Sequence, residues 1–238
     1  MKKFGILLSV LLLLGLTACG FSSDDKEAVK PVFVITEPAE PTAVYFNNAI
    51  PSQYIDGAQN SFDRDALEHL FVFSAFGNGD ILMRWNEPIR YALCGNFSPV
   101  DVQTAREVAE RLSSIPGFPG ISETKETDAN VCITVTDVSA ADAHITANSA
   151  GQIHHAQITV PASGRFNRSD AIRTSLFRIC GLLYQTETTL DTVNTETYPA
   201  SAPTDTDWML MELLYGDMQS GMTRDECRTT FREHFTAQ

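Results

Sequence analysis

Ile89 to Gly117 reads IRYALCGNFSPVDVQTAREVAERLSSIPG, and this stretch decides the fold. Ile89, Tyr91 and Leu93 alternate with other residues at the period of a strand that buries one face. Ser98-Pro99-Val100-Asp101 then supplies a capping serine, a proline at the first helical position and an acid three residues after the cap. The helix it opens places Val102, Ala105, Ala109 and Leu112 on one face, and Pro116-Gly117 stops it. Val131, Ile133 and Val135 alternate again. A strand, a helix and a second strand at these spacings predict a crossover between neighbouring strands of one sheet.

Working outward, Ile81, Met83 and Trp85 predict a strand before this unit, and Ala156, Ile158 and Val160 one after it. An earlier helix is capped by Ser61 or Asp63, carries Leu67, Leu70, Phe71 and Ser74 on one face, and ends at Gly77-Asn78-Gly79. Ser169-Asp170 caps a helix with Ile172, Leu176, Ile179 and Leu183 at helical spacing. Two more helices follow, one over 205–215 and one opened by Thr223-Arg224-Asp225-Glu226. The expected fold class is α+β: a mixed sheet packed with helices, then a C-terminal helical subdomain.

The chain has 238 residues, a formal charge of -13 and 43% hydrophobic residues. That suffices for one core, and the acidity argues against a nucleic-acid binder, whose footprint is a basic face. Met1-Lys2-Lys3 followed by an apolar run ending in Leu16-Thr17-Ala18-Cys19 has the form of a lipoprotein signal. Phe4 to Ala18 is 15 residues, short of the roughly 20 that span a bilayer. Cleavage is expected after residue 18, with Cys19 the site of lipidation. Acyl chains contributing about 0.8 kcal/mol per buried methylene would hold the chain on a membrane. Gly20 stands where an aspartate would favour inner-membrane retention, so the expected address is the periplasmic face of the outer membrane. Residues 19–59, with Pro31, Pro38, Pro41 and Pro51, read as a flexible tether in which 31–36 could add as an edge strand, and 60–238 as one domain.

The remaining cysteines, Cys94, Cys132, Cys180 and Cys227, are even in number in an oxidising compartment. The expected pairs are Cys94 with Cys132 and Cys180 with Cys227. No C-x-x-C pair and no Cys beside His at ligand spacing suggests a metal. No G-x-S-x-G, phosphate loop, dinucleotide fingerprint or H-E-x-x-H is present, and no cofactor is expected. His154 and His155 are adjacent in a strand and point to opposite faces. His69, His144 and His234 complete the histidines. Arg165, Arg168 and Arg173 read as a salt-bridged surface.

The segment from Arg84-Trp85-Asn86-Glu87-Pro88 to Leu93, the helix ending in Gly181-Leu182, and Leu213-Leu214-Tyr215-Gly216-Asp217-Met218 with Gly221-Met222-Thr223 occur in an order that resembles a bacterial family. It is the domain of unknown function 2927, itself similar to zincin-type metallopeptidases. The resemblance runs from about Ile81 to Phe235 and implies a zincin-like sheet followed by an active-site helix with the pattern E-E-x-x-Q-x-L-G-L. With Gly181 on the family glycine, the acidic pair falls on Thr174 and Ser175 and the glutamine on Arg178. The third ligand of the longer zincin motif falls on Tyr184. Thr174 is a poor zinc ligand, Ser175 is no base at neutral pH, and Arg178 places a positive charge where a dication would sit. Glu187 and Asp191, just beyond, read as a solvated loop. The implied function is a non-catalytic, peptidase-like binding or envelope-assembly module that takes an extended peptide or an envelope protein by strand addition at 156–160. The alternative is a metallopeptidase-like hydrolase with a non-standard site.

Overall fold

The computed structural model describes residues 64–162, 167–196 and 199–236. The signal, Cys19, the tether, the first helix cap at Ser61 or Asp63, and Arg165 lie outside the described residues.

The elements run α1 (Arg64–Phe76), β1 (Arg84–Trp85), β2 (Ile89–Cys94), α2 (Pro99–Ser113), β3 (Ile121–Glu123), β4 (Val131–Thr136), β5 (Asp142–Ala147), β6 (Gln152–Pro161), α3 (Arg168–Arg178), α4 (Asp205–Gly216) and α5 (Arg224–His234). The sheet has the order β1-β6-β4-β2-β3, all parallel, with β5 antiparallel on β6. The fold is a mixed α/β sheet with helices, as the alternating strands and the capped helix predict. The capping box at Ser98 forms in full: Asp101 N donates to Ser98 Oγ, and the Asp101 carboxylate accepts from Ser98 N. Thr204 and Thr223 cap α4 and α5 in the same way.

One sheet face is the core. Ile89 and Tyr91 of β2, Val131 and Ile133 of β4, Ile145 of β5, and Ala156 and Ile158 of β6 are buried there. The helices assemble around it, α2 packing on α3, α3 on β6, and α1 on α5. The opposite face carries Arg90, Cys94, Cys132, Thr134, Gln157 and Thr159, half-buried or exposed. Parallel strands are usually covered on both faces and read as continuous apolar runs. Here the outer face is polar, which is why these strands alternate in sequence.

Four expectations are corrected. The run Ile81, Met83, Trp85 yields only the short β1, because Leu82 instead pairs with the turn before α5: its N–H donates to Met222 O and its carbonyl accepts from Gly221 N. Helix α3 is capped by Asn167, whose side chain accepts from Ser169 N at 3.1 Å, not by Ser169-Asp170. Strand addition at 156–160 is closed off, since Ala156 to Thr159 pair with β4 on one edge and β5 on the other. The antiparallel outer strand is β5, which the sequence reading passed over.

The cysteine pairing is the fourth correction: Cys94, Cys132, Cys180 and Cys227 are free thiols. Cys132 is level with Ala92, and Cys94 with Thr134, so the first two sit diagonally on neighbouring strands. Such diagonals separate Cα atoms by about 7–8 Å, beyond the roughly 4.4–6.8 Å a disulfide takes. Cys180 follows α3, which packs on α2 and β6, whereas Cys227 lies in α5 against α1. Burial pushes both of these thiols up, Cys227 to about 12.

Candidate functional site

Helix α3 carries the positions at which the resemblance implies metal chemistry. Thr174 is half-buried and its hydroxyl donates to Asp170 O at 2.9 Å, the back-bond that helical threonines make to the preceding turn. Ser175 is buried. Arg178 is 6% exposed, and its Nη2 donates to Leu183 O at 2.5 Å. Desolvation lowers its pKa to about 9, so the guanidinium is still charged at pH 7. Tyr184 is buried too, with its ring against Gly77, where a Cβ would stand 2.7 Å from Tyr184 Cδ1. Its N–H donates to Ser74 O at 3.0 Å. These residues do not fit a zinc ion: the group one helical turn after Thr174 is a buried cation that fastens the chain leaving α3. Among the described residues no three His, Cys, Asp or Glu side chains group as a metal set. Glu187 is half-buried and Asp191 exposed. The Asp191 carbonyl accepts from Thr204 Oγ1 at 2.6 Å.

The three separated sequence pieces behind the resemblance meet at the end of α3. Trp85 Nε1 donates to Ile179 O at 2.9 Å, and Tyr215 Oη donates to Cys180 O at 2.7 Å. Two carbonyls that a helix C-terminus leaves open are thereby satisfied. Trp85 N reaches Tyr215 Oη at 3.4 Å. Arg84 lies over the Tyr215 ring, 4.4 Å from its centroid, and donates to Leu214 O at 3.0 Å and Met218 O at 2.5 Å. Gly181 has φ +124°, and a Cβ there would lie 2.7 Å from Met83 O. Only glycine allows both that dihedral and the close approach of β1. The motif is thus a clamp that seats the C-terminal helices on α3.

A second buried network lies beyond the clamp. The fully buried Asp207 accepts from Val193 N at 3.0 Å, Thr204 N at 2.9 Å and the Thr192 hydroxyl. Burial pushes its carboxyl up, against the hydrogen bonds from Thr192, Thr204 and Val193. Gln185 Nε2 donates to Thr195 O at 3.2 Å, and Thr186 N to Asn194 O at 2.8 Å. The segment after Tyr184 is therefore folded back on itself. Sequence reasoning missed this network, for Asp207 looks like any acid in a first helical turn.

The basic cluster is dispersed into ion pairs, Arg168 with Asp101 and Arg173 with Asp170. His154 and His155 are exposed on β6, and His144 pairs with Asp142 at 2.8 Å on β5. His234 approaches Asp217 at 2.6 Å.

The chain is similar in structure to high choriolytic enzyme 1, a hatching-enzyme zinc-protease from the medaka fish Oryzias latipes, at 11% sequence identity and a TM-score of 0.36, covering 60% of this chain and 95% of that one. No family model matches the chain, and no curated protein matches it.

Proposed function

We propose that the chain is a lipid-anchored envelope protein of the periplasmic face, with a peptidase-like domain that binds an extended polypeptide and does not cleave it. The observation that carries this reading is Arg178. A buried guanidinium bonded to Leu183 O stands where the family pattern would place a metal ligand. A positive charge there opposes a dication, and the same residue has a structural task that no ligand could perform. The binding part rests on β5. Among the described residues no strand pairs with its outer edge, and a free edge is a template for an added strand.

The test has a metal arm and a peptide arm. The full chain, exposed to zinc and desalted, should retain none at α3. Stoichiometric zinc lost on Thr174→Ala or Tyr184→Phe would turn the reading to a metallopeptidase-like hydrolase. Peptides selected by display should slow amide hydrogen exchange across 142–147 without being cut, and protection confined elsewhere would overturn the β5 assignment. The anchor is checked separately: Cys19→Ala should move the protein from the membrane fraction to the soluble one, and a membrane-retained variant would count against lipidation.

A further inference from the structure

We propose that Cys94 and Cys132 form a two-coordinate site for a soft monovalent metal ion, of the copper(I) class, on the polar face of the sheet. Both thiols are half-buried and project from the same face of adjacent parallel strands. The Cys94 thiol donates to Ala92 O at 3.8 Å. The diagonal register that is too long for a sulfur–sulfur bond suits a bridging ion, because two metal–thiolate bonds of about 2.3 Å each span far more than one disulfide bond of about 2.0 Å.

The surroundings select the ion. Along the row through Cys132 the neighbours are Ala92 on β2, Gln157 on β6 and then His144 on β5. His144 is two strands away, roughly 10 Å at the usual interstrand spacing, and is engaged with Asp142. The row through Cys94 continues with Thr134, Thr159 and Asp142. No described His, Cys, Asp or Glu completes a set of three. Thiolates take both zinc and copper(I), but zinc seeks four donors whereas copper(I) is content with two, so the donor count selects copper(I).

Binding breaks two S–H bonds, forms two copper–sulfur bonds and releases two protons, with no electron transferred. Burial, with Cys132 and Glu126 alongside, pushes the Cys94 thiol up to about 12.

The experiment is anaerobic titration of the full chain with copper(I) against a chromophoric chelator, with X-ray absorption at the copper edge. One ion per chain with two sulfur neighbours is expected. Cys94→Ser and Cys132→Ser should each weaken binding at least about 100-fold, with far-ultraviolet circular dichroism unchanged. Cys19→Ser, Cys180→Ser and Cys227→Ser should bind as the parent does. Unchanged affinity in Cys94→Ser or nitrogen neighbours at the copper would overturn the site. So would a Cys94–Cys132 disulfide in the anaerobically purified chain.

Discussion

Trp85→Ala is expected to lower the unfolding free energy by about 4 kcal/mol, within the range for truncating a buried tryptophan. Trp85 is fully buried and its indole N–H satisfies Ile179 O at 2.9 Å, so truncation opens a cavity and strands a helix-terminal carbonyl together. Against a usual stability of about 5–15 kcal/mol, that leaves little margin. Trp85→Phe keeps most of the volume and loses only the donor, and should cost about 1–2 kcal/mol. Tyr215→Phe, which removes the bond to Cys180 O, should cost a similar amount, about 1–2 kcal/mol. Because the two side chains hold the adjacent Ile179 and Cys180 carbonyls at the end of α3, the Trp85→Phe/Tyr215→Phe double variant should depart from additivity by about 0.5–1 kcal/mol. Urea unfolding of the four variants measures all of this. A Trp85→Ala cost below about 1.5 kcal/mol would mean that the clamp does not hold α3.

The parts of this fold that were legible in the sequence are those whose signals are local. The boxes at Ser98 and Thr223 depend on residues three apart, and both form as read. Strand β5 was invisible because Asp142-Ala-His-Ile-Thr-Ala holds little apolar bulk. It becomes a strand by pairing with β6, a tertiary cause that propensity does not carry. The same omission made Ala156 to Val160 look like an edge. Between Ile81 and Trp85 the pattern was misleading for the opposite reason: Leu82, Met83 and Trp85 are all buried, as the chain is covered from both sides.

The candidate site divides in the same way. That Thr174 is a poor zinc ligand, that Ser175 is no base and that Arg178 brings a positive charge follow from side-chain chemistry and could be read directly. That Arg178 fastens Leu183, and that Arg84, Trp85, Gly181 and Tyr215 converge, could not, because these contacts span up to 134 residues of chain. The even cysteine count pointed to pairing, and Cys94 and Cys132 do stand on one face of neighbouring strands. It did not supply the two-residue offset in register that leaves them unbonded.

Asp101 carries the second large effect, and its sign depends on pH. The carboxylate is 2% exposed and belongs to two helices at once, accepting from Ser98 at the start of α2, and from Arg168 and from Ser169 Oγ at 3.0 Å at the start of α3. Burial alone would raise its pKa, but the hydrogen bonds from Arg168, Ser98 and Ser169 outweigh it and bring the value down to about 2 from 3.8. A carboxyl whose folded pKa is depressed stabilises the fold above its unfolded pKa. That contribution is complete above about pH 5 and is lost as pH falls through 4 toward 2; at about 1.4 kcal/mol per unit it amounts to about 2 kcal/mol. Asp101→Asn should therefore be less stable than the parent by about 2 kcal/mol at pH 7, with the gap closing as pH approaches 2. Asp101→Ala, which also removes the carboxylate half of the α2 capping box and leaves Ser169 without its acceptor, should cost about 3 kcal/mol and keep part of that deficit in acid. Urea midpoints for the three proteins between pH 7 and pH 2 decide it. A gap between parent and Asp101→Asn that does not change with pH would show that shape, and not charge, joins the two helices.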